Sequence, residues 1–374
     1  MNNSNPVRDQ VLSVPALIAE TYEPIESSTR LVLTTPEIYD TKHLILTGSG
    51  DSYNAGCASL MAFSQYGRLC ARAETALESS RYIAGIYVPP PEKSTLVIGV
   101  SSSGEGARVV EAIAAMRACG CNTLALTAKP NSRLGLAAEK TLLVETPPFA
   151  PAPGVRSFIT SSIALYLLAI RFGEVKLNFT MDEANALRKE LLACGNVLKD
   201  SLISLEGAMS LFAKEIDRCG TFEVLASGPA RAAANFGAAK LMEIMGLSTS
   251  VSDVEEFNHV NFFRRQPSDI PTLLLCPNKS RAIQRCEEIA MALKHLKRPY
   301  RILTGPSGFE DHGDLVWRVR ADIPEVFSPL VQSTLLAFLA SFVPLPDGET
   351  YFRGHAGPWD ESKFKSIKDS EIVL

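Results

Sequence analysis

The sequence lacks the marks of several protein classes, and each absence narrows what the chain can be. It has no surplus of positive charge: 37 lysines and arginines stand against 41 aspartates and glutamates, a net charge of −4. Without a basic field to draw in a phosphate backbone, nucleic acid is not an expected partner. The opening residues, MNNSNPVRDQ, carry no apolar signal core. The greasiest stretches, residues 157–170 and 335–343, are too short to span a bilayer. No membrane partner is expected, and the expected location is cytoplasmic. The eight cysteines are scattered, and Cys119 and Cys121 form only a CxC with no second pair at zinc-site spacing. They read as reduced, mostly buried thiols, so no metal is expected. A dinucleotide fingerprint is missing too. Gly48-Ser49-Gly50 is followed by Asp51-Ser52-Tyr53-Asn54 rather than a properly spaced third glycine, and no cofactor is expected.

What is present is the composition of a folded α/β chain. Apolar residues make up 46% and charged residues 21%, and 374 residues are too many for one ordinary core but suit two. Short apolar runs at residues 42–48, 94–100 and 123–127 read as buried parallel strands. Helical patterns at 54–66 and 105–119 alternate with them, which predicts a parallel sheet with helices on both faces. The order returns with strands at 222–226, 272–276 and 300–303 and helices at 232–245 and 279–296. Matching strands lie roughly 177–179 residues apart, so the chain reads as two copies of one fold. Residues 9–23 read as a helix packed on the first lobe, and 181–214 as a helical connector. The resulting division is 1–30, a helical segment; 31–176, the first domain; 177–218, the connector; 219–345, the second domain; and 346–374, an irregular tail. Such tails are disordered or close over a site.

Two loops of the first lobe stand where a doubly wound sheet binds ligands, past the carboxyl ends of its strands. One is Gly48-Ser49-Gly50-Asp51-Ser52-Tyr53-Asn54 and the other Ser101-Ser102-Ser103-Gly104-Glu105, each leading into a helix. Serine and glycine commonly only cap helices and make turns. Two such loops at neighbouring strands make an anion site the better reading, because helix N-termini offer unpaired N–H groups. The second lobe has few hydroxyls in Ser227-Gly228-Pro229-Ala230-Arg231 and in Cys276-Pro277-Asn278.

The pair Gly-x-Ser-Tyr-Asn and Ser-x-Ser-Gly-Glu resembles the sugar isomerase (SIS) family. Within it, the chain resembles the isomerase half of glucosamine-6-phosphate synthase and SIS-type glucosamine-6-phosphate deaminases, from about residue 10 onward. The resemblance implies an α/β protein of two SIS domains, each a doubly wound parallel sheet flanked by helices, a flavodoxin-like three-layer sandwich. It implies a small anionic sugar as ligand, with Ser52, Ser101, Ser102 and Ser103 holding the sugar's 6-phosphate. Two departures stand out: the family's threonine three residues after the last serine is Gly106 here, and Arg156, before Ser157, replaces a small residue beside the sugar. Arg156 is either a surface or interface arginine or a cation for the substrate, and Ser157 belongs with it.

Aldose–ketose conversion needs a base between C1 and C2, a ring-opening acid/base and a group on the carbonyl. Glu243 follows Lys240 by three residues, on one helix face, which alone is an ordinary helical ion pair. In the family the proton-shuttling glutamate lies in a Lys-Leu-x-Glu-Ile stretch, which here is Lys240-Leu241-Met242-Glu243-Ile244. The family's ring-opening histidine then falls on His259, and its acidic neighbour on Glu256, although the family's following Gly-Pro is Val260-Asn261 here. The family's Schiff-base lysine falls on Lys365, with Lys363 and Lys368 close by. The implied function is an isomerase of a hexose or amino-hexose 6-phosphate, with amine removal or addition open. Left open beside it are an isomerase of a 6-sulfonated hexose, a fructosamine-6-phosphate deglycase and a non-catalytic sugar-phosphate sensor. A glutamine-dependent synthase is not expected, since no N-terminal nucleophile cysteine or glutaminase domain precedes the first lobe. The family's exchange of the histidine between subunits implies a homodimer or dimer of dimers.

Overall fold

Short apolar runs separated by helices fold into two parallel sheets in the computed structural model, which describes residues 5–86, 93–345, 350, 351, 353, 357–360 and 367–373. The chain begins with α1 (Pro6–Leu31) and α2 (Thr35–Asp40). The first sheet is built from β1 (His43–Gly48), β2 (Cys70–Thr75), β3 (Thr95–Val100), β4 (Asn122–Thr127) and β5 (Lys140–Leu143). Between these strands run α3 (Asp51–Gln65), the single turn α4 (Ala76–Glu78), α5 (Ala107–Ala118) and α6 (Arg133–Ala137). Two long helices follow, α7 (Arg156–Val175) and α8 (Met181–Cys219). The second sheet comprises β6 (Thr221–Leu225), β7 (Ser248–Ser252), β8 (Thr272–Cys276), β9 (Tyr300–Thr304) and β10 (Val316–Arg318). Its helices are α9 (Ala230–Met245), α10 (Glu256–His259), α11 (Ile283–His295) and α12 (Ser328–Ala340).

The first sheet runs β2-β1-β3-β4-β5 and the second β10-β9-β8-β6-β7, with every pairing parallel. Numbered within each sheet both orders are 2-1-3-4-5, a doubly wound order whose ligand crevice lies at the carboxyl ends of strands 1 and 3. The repeat read from the sequence is therefore a repeat of topology. The inner strands β3 and β8 are buried along their whole length, as strands covered by helices on both faces must be. Ile113 and Met116 of α5 pack on Val97 and Ala125 in one core, and Ile289 and Leu293 of α11 pack on Leu274 and Ile302 in the other.

Two compact units result. One holds the first sheet, in Leu17–Pro148 and Arg156–Leu192, together with the C-terminal residues from 360 on; the other holds the second sheet, in Phe149–Val155 and Ala193–Trp359, with the chain up to Ala16. The helices α1 and α8 each contribute to both units. The helix α7 is longer than the apolar stretch that marks it in the sequence. By length and composition it could cross a membrane, correcting the expectation that this stretch is too short, but 89% of its apolar window is buried inside the fold. It is a core helix, packed on α3.

In the second unit α9 and α12 approach so closely that a Cβ on Gly237 would stand 2.5 Å from the Leu336 Cβ. Gly237→Ala must push the helices apart, at an expected cost of about 1–3 kcal/mol of overpacking. A thermal melt should show the loss, and an unchanged Tm would mean the helices separate freely.

Candidate functional site

The first half of the site is the crevice between the carboxyl ends of β1 and β3. At β1 the chain turns through Gly50, whose φ of 53° is left-handed, and enters α3 with no side-chain cap. The strand end lies tight against the helix: a Cβ on Gly48 would meet the Ser52 carbonyl carbon and the Tyr53 nitrogen at 3.0 Å. The Ser52 N–H donates to the Ser49 carbonyl at 3.2 Å, so the first turn of α3 is closed by loop backbone rather than by a side chain, and the helix start carries the positive end of the dipole.

At β3 the loop Ser101–Ser103 is held from beneath by β4. The Ser101 N–H donates to the Leu126 carbonyl (3.0 Å), and the Ser102 carbonyl accepts from the Ala128 N–H (3.0 Å) and the Thr127 hydroxyl (3.3 Å). The Gly104 N–H closes the turn onto the Ser101 carbonyl and hydroxyl, both at 3.1 Å, and the Glu105 N–H donates to the Ser103 hydroxyl at 3.3 Å. Gly104 has a φ of 69°, and a Cβ there would lie 2.0 Å from the Ser132 hydroxyl. Ser101 and Ser102 are half-buried and Ser103 is exposed. The structure thus places Ser52 and Ser101–Ser103 at one crevice. The supporting residues Thr127 and Ser132 are silent in the sequence, since their role is visible only once β4 lies beside β3.

Part of the tail lies on this unit as well. Gly106 gives α5 no side-chain cap, and the Ala107 N–H donates instead to the Ile367 carbonyl at 2.8 Å. Arg133 holds the Lys368 carbonyl at 2.8 Å, and the Val373 N–H donates to the Glu111 carboxylate at 2.7 Å. Burial would raise the pKa of Glu111, but hydrogen bonds from Arg81 and the Val373 N–H outweigh it and bring the value down to about 2. Lys365 falls outside the described residues.

Arg156 opens α7 and is buried, donating from Nη2 to the Pro147 carbonyl at 3.2 Å. Burial lowers its pKa from the ordinary value, and the Glu20 carboxylate opposes the shift. Of the two readings of this residue, a surface arginine is excluded by its burial. The Ser157 carbonyl accepts from the Thr160 hydroxyl at 3.2 Å.

The second half of the candidate set lies in the other unit. The Lys240 side chain is 1% exposed, with its ammonium 5.1 Å from the centroid of Phe236 and 2.7 Å from the Glu243 carboxylate. Glu243 is 47% exposed, so a buried cation holds a carboxylate that faces outward. His259 ends α10, 63% exposed, with Nε2 3.3 Å from a Glu255 oxygen. Glu255 also takes the Arg285 guanidinium at 2.6 Å. The carboxylate beside the imidazole is therefore Glu255, four residues back on the helical spacing, whereas Glu256 is exposed at the start of α10.

The crevice of the second sheet is chemically different. The Ser227 hydroxyl donates to Asp253 at 2.7 Å, and the Ser280 hydroxyl donates to Glu325 at 2.8 Å. Its few hydroxyls already serve carboxylates, which disfavour an incoming anion. Among the described residues no group of three or more His, Cys, Asp or Glu side chains is placed to hold a metal ion.

Comparison with known proteins gives a consistent frame. Residues 37–171 match the SIS domain. The chain is 23% identical over 250 residues to the isomerizing glutamine–fructose-6-phosphate aminotransferase of Aeropyrum pernix, covering 67% of this chain and 40% of that one. The Clostridium acetobutylicum enzyme of the same name is 25% identical over 227 residues, covering 61% and 36%. The chain spans less than half the length of these curated relatives. Among solved structures, the C-terminal domain of glucosamine-fructose-6-phosphate aminotransferase from Francisella tularensis superposes with a TM-score of 0.76 at 18% identity, covering 87% of this chain and 93% of that one. Glucosamine-6-phosphate deaminase from Thermotoga maritima gives a TM-score of 0.65 at 16% identity, covering 90% and 96%. At these identities the structures share the fold.

Proposed function

We propose, on the premise that this chain is a SIS-domain protein through residues 37–171, that it is an aldose–ketose isomerase of a hexose bearing a 6-phosphate. The observation that carries the reading is the pair of serine–glycine loops at the ends of β1 and β3. Ser52, Ser101, Ser102 and Ser103 hold the phosphate there through their hydroxyls, with the N-terminal ends of α3 and α5 supplying a favourable dipole. In this reading the second unit is a second SIS domain that supplies the chemistry. Glu243, steadied by Lys240, moves the proton between C1 and C2 through an enediol. His259, paired with Glu255, assists ring opening, and Glu256 serves the substrate from the start of the same short helix. Arg156 and Ser157 flank the sugar from the start of α7. The protein works in the cytoplasm as a homodimer or dimer of dimers.

If Lys365 forms a Schiff base with the ketose, the reaction also removes or adds an amine. The printed name of the Thermotoga maritima neighbour, a glucosamine-6-phosphate deaminase, supports keeping that branch. A panel of hexose and amino-hexose 6-phosphates, followed for ketose formation and ammonia release together, separates the two. Ketose without ammonia is expected for simple isomerisation, ammonia from glucosamine 6-phosphate for the amine branch, and inertness of every sugar overturns the proposal.

A further inference from the structure

A fully buried carboxylate stands on an inner strand of the second sheet, and nothing in the proposed chemistry uses it. Glu223 of β6 is 0% exposed. The parallel register sets it between Ser250 of β7 and Thr272 of β8. The Ser250 hydroxyl donates to it at 3.2 Å, and Arg298, itself 0% exposed at the side chain, pairs with its other oxygen. Arg298 also donates to the Thr272 hydroxyl at 3.2 Å. Burial lowers the Arg298 pKa from its ordinary value, and the Glu223 carboxylate opposes the shift. A buried ion pair is poor evidence of stability, because desolvation of both charges consumes most of their attraction. Its outward contacts show what it does hold.

Those contacts converge on the segment just after His259. The Asn261 amide donates to Glu223, and the Arg298 guanidinium donates from Nη2 to the Asn261 carbonyl at 2.7 Å. Arg264 comes within 3.7 Å of Glu223 and bonds Ser250 at 3.3 Å. On the other side of the histidine, Phe257 is buried and lies under the Arg298 guanidinium, 5.0 Å from ring centroid to Cζ. The four-residue helix α10 is thus clamped before and after His259 by one buried pair, while the imidazole itself stays exposed. So short a helix holds its shape through tertiary contacts rather than its own hydrogen bonds.

We propose that Glu223, Arg298 and Asn261 are positioning residues that fix the His259 imidazole for proton transfer. Asn261 reads the buried pair with both its side chain and its backbone, so the loop cannot rotate without giving up its bonds to Glu223 and Arg298. The inference rests on the reading of His259 as the ring-opening group, and its test separates the two.

Asn261→Ala is the informative variant, because it removes the side-chain bond of the clamp to Glu223 while leaving the Arg298–Glu223 pair in place. Hydrogen exchange of residues 256–264 should speed up about tenfold or more, with the remaining peptides unchanged. For the panel sugar with the fastest turnover, kcat/KM should fall about 10- to 100-fold, the scale of a misplaced catalytic group. In a His259→Ala background the same change should cost less than about twofold, because the group it positions is gone. Equal losses in both backgrounds, or unchanged exchange in 256–264, overturn the proposal. His259→Ala with full turnover instead removes the ring-opening reading, and the exchange data then judge the clamp alone.

Discussion

Glu243→Gln is expected to lower kcat by about 10²–10⁴-fold, the usual contribution of a positioned acid–base group. Binding of the sugar phosphate should change by less than about threefold, because the proposed role of the carboxylate is in the transition state and not in anchoring. The carboxylate is presented at 47% exposure on a lysine that is 1% exposed. Glutamine keeps the volume and an oxygen for the Lys240 ammonium but cannot accept the proton. Calorimetric binding beside initial rates makes the comparison. A variant retaining more than about a tenth of the wild-type kcat removes Glu243 from the mechanism.

Gly104→Ala is expected to damage the anion seat itself. The residue sits at a φ of 69°, and its new Cβ would lie 2.0 Å from the Ser132 hydroxyl and 2.9 Å from the Thr127 hydroxyl. Left-handed backbone and the clash each cost about 1–3 kcal/mol, which the loop relieves by lifting away from β4. That movement breaks the bonds from Ala128 and Thr127 to the Ser102 carbonyl, so Ser101–Ser103 lose their shared aim. Affinity for a hexose 6-phosphate should fall by roughly tenfold or more, together with a lower melting temperature. Unchanged affinity would show that the loop does not hold the anion.

Much of the fold is legible in the sequence because its inner strands are covered on both faces. Residues 94–100 and 272–276 read as continuous apolar runs, and β3 and β8 occupy nearly those spans. The strands β2, β5, β7 and β10 are not anticipated, and each lies at or near a sheet edge or is short. Cys-Ala-Arg-Ala-Glu-Thr of β2 and Ser-Thr-Ser-Val-Ser of β7 carry polar and charged groups because edge strands meet solvent. The serine loops are legible as well, since Ser and Gly between an apolar strand and a helix have a physical meaning. Their supports are not. Ser132 comes into contact with Gly104 through tertiary packing alone, and Glu223 meets Asn261 and Arg298 across 38 and 75 residues. The choice between Glu255 and Glu256 as the partner of His259 turns on the phase of one short helix, which the residue types alone do not set.

In the proposed function the loops after β1 and β3 of the first sheet hold the substrate's anion. A crystal structure of the Glu243→Gln protein with glucose 6-phosphate or fructose 6-phosphate tests it most directly. Phosphate density is expected between the Gly48–Ser52 and Ser101–Gly104 loops, within hydrogen-bond distance of the Ser101, Ser102 or Ser103 hydroxyls. Phosphate held elsewhere in the chain, or a sugar bound with that crevice empty, would contradict it.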